Sequence, residues 1–136
     1  MADDALKVLV YSDDRNTREQ VRMAIGRRPA SDLPPVEFVD VATEWAAVDL
    51  LRKGGIALAI LDGEATPSGG LGVCRTVKQE IFQSPPILVL IARPQDKWLA
   101  SWSRADGVVS HPIDPIATAA AAAELLRSQV AGGVPS

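Results

Sequence analysis

The chain has 136 residues, 47% of them hydrophobic and 23% charged, which suits one folded domain and excludes a disordered chain. Fourteen basic residues against seventeen acidic ones leave a net charge of −3, which argues against holding nucleic acid or an anionic membrane by charge alone. No apolar run is long enough to span a membrane, and the single Cys74 has no partner for an internal disulfide, as expected of a cytoplasmic protein.

The N-terminus MADDALK is acidic and lacks the basic-then-apolar pattern of a secretory signal. Leu6–Tyr11 is a nearly continuous apolar run, broken only by Lys7, the pattern of a strand buried on both faces. Thr17–Arg28 follows as a helix with Val21, Ala24 and Ile25 at spacings of three and four. Pro29–Pro35 holds three prolines and reads as a loop. Val36–Ala42 alternates more, as an edge strand does, and Thr43–Lys53 carries a helical stripe of Ala46, Ala47, Leu50 and Leu51. Ile56–Leu61 and Ile87–Ala92 are two more doubly buried strands. Between them Leu71–Phe82 reads as a helix with Leu71, Cys74, Val77 and Ile81 on one face. Pro94–Arg104 opens on a proline, as a helix start allows. Gly107–Ser110 is a short edge strand, and Asp114-Pro115 starts a last helix with Ile116, Ala119, Ala123, Leu126 and Val130 on one face. The tail 131–136 reads as flexible, so the domain spans 1–130, with no room for a second, output domain.

Strictly alternating strands and helices predict a parallel sheet with helices on both faces. Sites in such folds lie beyond the carboxyl ends of the strands. Four loops therefore matter. The first offers Asp13 and Asp14, and another offers Asp62 directly after a buried strand, with Glu64 two residues on. The loop at Ala92–Gln95 is a third, and the last offers His111 followed by Pro112.

The stretches VLVYSDDRNTREQVR (8–22), ILDGEATPSGGLGVCRTVK (60–78), PPILVLIARP (85–94) and GVVSHPIDP (107–115) occur in the order and near the spacing of one family. The chain resembles the receiver domain of two-component response regulators, over its length up to about Arg127. The resemblance implies a flavodoxin-like, doubly wound, five-stranded parallel sheet of order 2-1-3-4-5. It places the phosphoacceptor at Asp62 and the acidic pair that holds Mg²⁺ at Ser12 and Asp13, so that one carboxylate has become a hydroxyl. The hydroxyl residue that follows the acyl phosphate is matched by Ile91, the family's lysine by His111, and the aromatic switch residue by Val108. The proline of the phosphorylated loop falls one place late, at Pro67, with Thr66 in its stead.

Mg²⁺ prefers hard anionic oxygen ligands, so the set Asp13, Asp62 and Glu64 offers at most a weak site. No other cofactor is expected. An imidazole carries charge only near and below about pH 6.5 and is shorter than a lysine. Ile91 and Val108 remove both parts of the readout. Asp62 is then either a working phosphoacceptor or an acidic side chain at a strand end, solvated or paired with His111. His111 is either a pH-sensitive partner of Asp62 or a neutral residue in a tight turn. Asp14 is expected to cap the first helix, Cys74 to be buried filler and Glu64 to be solvated.

Trp98 and Trp102, four apart, share one helix face, with Leu99 expected toward the sheet. They either shield a sheet edge or form a partner-binding patch beside the alanine-rich last helix. No glycine-rich phosphate loop, dinucleotide fingerprint or catalytic triad is present, so an enzyme is not expected. The reading is a stand-alone degenerate receiver acting as a protein-interaction module. Two alternatives are an active single-domain receiver phosphorylated on Asp62 by a histidine kinase, and a constitutive accessory subunit of a larger assembly. The last rests on a resemblance to orphan receiver-like proteins that accompany bacterial NADH:quinone oxidoreductase, which would put the chain at the membrane through its partner.

Overall fold

A computed structural model describes residues 5–66 and 69–131. Five strands, β1 (Leu6–Tyr11), β2 (Val36–Val41), β3 (Leu58–Asp62), β4 (Ile87–Ile91) and β5 (Gly107–Ser110), form one parallel sheet in the order β2-β1-β3-β4-β5. Five helices follow them in turn: α1 (Arg15–Ile25), α2 (Glu44–Lys53), α3 (Gly70–Glu80), α4 (Lys97–Ser103) and α5 (Pro115–Ala131). The expected sheet order and the layers on both faces are therefore present. Ala131 still belongs to α5; the rest of the expected tail, 132–136, and Pro67 lie outside the described residues.

Side chains alternate across a strand, and here they feed two cores. Val8, Val10, Leu58, Ile60, Leu88 and Leu90 meet Val21 and Ile25 of α1 and Ala122, Ala123 and Leu126 of α5. Leu9, Tyr11, Ala59, Leu61, Val89 and Ile91 meet Ala47 and Leu51 of α2, Val73, Cys74 and Val77 of α3, and Ala100 of α4. Every residue of β3 and β4 is buried because helices cover both faces, whereas β2 exposes Glu37 and Asp40 as an edge strand does. Each large aliphatic side chain so buried contributes about 1.5–3 kcal/mol.

Several boundaries shift for identifiable reasons. The first helix begins at Arg15, not Thr17, because Asp14 caps it, and it ends at Ile25, not Arg28, because Gly26 takes φ +71°. The third strand starts at Leu58; Ile56 and Ala57 lead into it, and the Ala57 amide donates to the Lys7 carbonyl. Ala92 falls outside β4, and Ala42 outside β2. The third helix stops at Glu80, short of Phe82, which is exposed. A 3₁₀ turn at Pro94–Asp96 precedes α4, so Ala100 and Ser103 face inward and Leu99 is only half-buried.

The expected face of α5 is also corrected. Thr118, Ala122, Ala123 and Leu126 are buried, while Ile116 is 82% exposed and Val130 is exposed as well. A helix of 17 residues is about 25 Å long. Strands of five residues reach only ~17 Å, so both ends of α5 overhang the sheet. Farther along, Arg127 grips Asp32 with two hydrogen bonds (2.7 and 3.1 Å) and ties the proline-rich loop to α5.

The start of α3 passes so close to β3 that a side chain has no room. A Cβ on Gly70 would meet the Asp62 and Leu61 backbone at 2.7 Å, whereas one on Gly72 would meet nothing within 4 Å. Gly70→Ala should therefore destabilise by roughly 1–3 kcal/mol, while Gly72→Ala should stabilise by up to about 1 kcal/mol. Urea denaturation of the two variants checks this; equal effects would mean that α3 does not abut β3 at Gly70.

Candidate functional site

Five residues singled out in the sequence gather where β1, β3 and β5 end. They border an open hollow of about 450 Å³ lined by Asp13, Asp14, Thr17, Asp62, Glu64, Ala92 and His111. Asp62 is the last residue of β3 and is buried, as is the neighbouring Ser12 at the end of β1. A buried carboxylate must be hydrogen-bonded or it costs several kcal/mol. The Ser12 hydroxyl donates to Asp62 Oδ2 at 2.7 Å, and the Glu64 amide donates to Oδ1 at 2.9 Å. His111 places Nε2 3.3 Å from the same Oδ1. Ser12 Oγ in turn accepts from the Asp14 amide at 3.0 Å. The structure thus brings Asp62 and His111 together, as a pair rather than as a solvated acid beside an unrelated imidazole.

Asp14 caps α1, accepting from the Asn16 amide at 2.9 Å and the Thr17 hydroxyl at 3.3 Å. Asp13 turns toward the β3–α3 loop: its two oxygens accept from the Thr66 amide and the Thr66 hydroxyl, both at 3.0 Å. Those two donors hold the Asp13 carboxyl below the usual aspartate range. Glu64 uses its backbone at the site while its side chain is exposed. Burial first, then the Glu44, Asp13 and Asp62 carboxylates, push the Tyr11 phenol up, which keeps it neutral beside this acidic end.

Ile91 is buried in the second core and offers the site only its carbonyl, which accepts the His111 amide at 2.7 Å. Val108 is half-buried against the same core. Cys74 is buried, donates to the Ser103 carbonyl at 3.3 Å, and is pushed up to about 11 by that burial.

Trp98 and Trp102 lie away from the hollow, and both are exposed. Arg75 of α3 sits 4.9 Å over the Trp102 ring and donates to the Trp102 carbonyl at 2.6 Å, so Trp102 borders α3. In the alanine run of α5, Ala122 and Ala123 face the first core, while Ala120 is exposed.

Of three further residues, Thr66 was noted in the sequence only as standing where the family has its proline, and the other two were not singled out. Thr66 holds Asp13, and its hydroxyl in a loop next to an acidic strand end was the available signal. Arg18 donates to the Ser12 carbonyl at 2.6 Å and lies 3.6 Å from Asp40; its place one turn after the Asp14 cap pointed there. Trp45 of α2 is 76% exposed. It precedes the inward Ala47 by two positions, which is the outer side of a helix.

No family model matches the chain. Two curated proteins from Mycobacterium tuberculosis strains, CDC 1551 and H37Rv, each named an uncharacterized response regulatory protein, are 52% identical to it over 124 residues. The match covers 91% of this chain and 93% of each relative. The chain belongs to the response-regulator family. Solved receiver domains carry the same fold. A CheY-like receiver from Methanospirillum hungatei superposes with a TM-score of 0.74 at 15% identity, covering 96% of this chain and all of that one. A Francisella response-regulator receiver gives 0.76 at 14% identity, over 91% and 98%.

A divalent ion at a receiver site needs convergent oxygen ligands, and the arrangement here does not fit one. Ser12 spends its proton on Asp62, Asp13 is turned to Thr66, and among the described residues no three Asp, Glu, His or Cys side chains form a metal-holding group.

Ser12→Asp would set two buried carboxylates face to face. In chelator this variant should lose roughly 2 kcal/mol or more of stability, and Mg²⁺ should restore much of it by binding between them. Thermal unfolding with EDTA and with Mg²⁺ measures both; a variant as stable as its parent in EDTA would contradict the Ser12–Asp62 contact. The Asp13 clamp has a definite sign with pH. A depressed carboxyl contributes stability above its unfolded value of about 3.9 and loses it as pH falls through the folded one. The Thr66 amide resonance should move only below about pH 4, and Asp13→Asn should abolish that step.

Proposed function

We propose that this response regulator works as a degenerate receiver: a non-enzymatic protein-interaction module in which phosphorylation of Asp62 is weak or absent. One observation carries the reading. Both oxygens of Asp62 are already engaged by Ser12, the Glu64 amide and His111, while Asp13 is committed to Thr66. Phosphoryl transfer is catalysed mainly by positioned positive charge and metal, and the surviving carboxylates are spent on closing the site. Ile91 supports the same reading, since an apolar side chain cannot follow an acyl phosphate. Its signal would therefore pass through a docking surface that includes Trp98 and Trp102, both exposed.

A second reading, an active receiver that takes phosphate on Asp62, is favoured by the open hollow beside that residue. Intact-mass spectrometry after incubation with acetyl phosphate and Mg²⁺ separates the two. The expected outcome is little or no phosphoryl adduct. Near-complete addition of one phosphoryl group, lost in Asp62→Asn, would establish the active reading instead.

A further inference from the structure

All three tryptophans of the chain stand exposed on one side of the molecule. Trp45 on α2 is 76% exposed, and Trp98 and Trp102 on α4 are 65% and 46% exposed. Both helices pack on the same sheet face, with α3 between them. Indole rings are rarely left in water without a partner, and they anchor interfaces. Together these three offer roughly 300–450 Å² of aromatic surface, about half of the ~800 Å² that each partner buries in a stable interface.

The shape of the face is asymmetric about α3. On one side lies a groove between α2 and α3, about 370 Å³, with Trp45 on its wall and Glu44, Asp49 and Glu80 along it. Arg52 crosses it to pair with Glu80, and Lys53 pairs with Asp49 on the surface. On the other side lies a ridge, Trp98 and Trp102, with Arg75 laid over the Trp102 ring. The outward position between them is Gly72, whose surroundings are open. An acidic groove and a basic aromatic ridge therefore flank one low helix.

We infer that this face takes a second copy of the chain, each copy setting its Trp98–Trp102–Arg75 ridge into the α2–α3 groove of the other. A two-fold axis parallel to α3 exchanges left and right while keeping height along the helices, so the ridge of one copy meets the groove of the other twice over. All three helices leave the same end of the sheet, and Arg75 and Asp49 each stand near the middle of their helix. The surface pair of Asp49 with Lys53 is worth little and yields to an Arg75 arriving beside a desolvated indole. The inference rests on the reading of the domain as an interaction module, and it names the partner.

Sedimentation velocity of the full chain over a range of concentrations tests it. The expected result is a monomer–dimer equilibrium, weakened about tenfold or more by Trp45→Ala or Trp98→Ala with little change in melting temperature. Met23→Ala, equally exposed but on α1, should leave it unchanged. Arg75→Glu and Asp49→Arg should each weaken the dimer, and the double variant should recover it, because the two-fold axis pairs each residue with the other. A chain monomeric at every concentration, open-ended oligomers, or a dimer indifferent to the tryptophans would each overturn the inference. So would a charge swap that fails to recover. The acetyl-phosphate experiment does not depend on any of these outcomes, so a monomer that takes no phosphate would overturn the self-pairing and leave the degenerate reading standing.

Discussion

A carboxylate buried at the end of a central strand is the constraint on which the upper end of this molecule depends. Asp62 cannot be left unsatisfied in a place that water barely reaches. Its donors come from three different segments: the Ser12 hydroxyl after β1, the Glu64 amide after β3 and the His111 ring after β5. The loops are thereby fixed relative to one another by one anion. Ser12 extends the network to the Asp14 amide, and Asp14 starts α1. Asp13 closes the remaining side by holding Thr66. The hollow beside Asp62 is thus walled by side chains that already hydrogen-bond one another.

The sheet beneath makes that arrangement rigid. The odd and even residues of β1, β3 and β4 feed two separate cores, so neither helix layer can slide without disturbing strands that both layers share. With Ile91 packed into the second core and Val108 half-buried against it, the β4–β5 side lacks the hydroxyl and the ring that would move in response to the site.

Much of this was legible in the chain because burial on both faces leaves an unambiguous mark. Val8–Tyr11 and Ile87–Ile91 are apolar throughout, and no other environment tolerates such runs so well. That Asp62 and His111 share one end of the sheet followed from the alternation of strands and helices, while their pairing was one of the alternatives left open. Other features had no local signature. Alanine is small enough for either side of a helix, so the phase of α5 could not be read, and Ile116 was placed on the wrong side of it. The break before α4 depends on how Pro94–Asp96 closes a tight turn, which a proline at a helix start does not reveal. The clamp of Asp13 on Thr66 joins residues 53 positions apart, and the site as read from motifs assigned that carboxylate to a metal.

The one-sided placement of the indoles also has an optical consequence. With Trp45, Trp98 and Trp102 all exposed on α2 and α4, the intrinsic emission of the protein under indole-selective excitation comes from a single face. Events on the α1–α5 layer are dark to it, while any body that covers α2, α3 and α4 shields every emitter together from water and from dissolved quenchers. The molecule therefore carries its own unlabelled reporter, and the colour of its fluorescence reads the occupancy of one side.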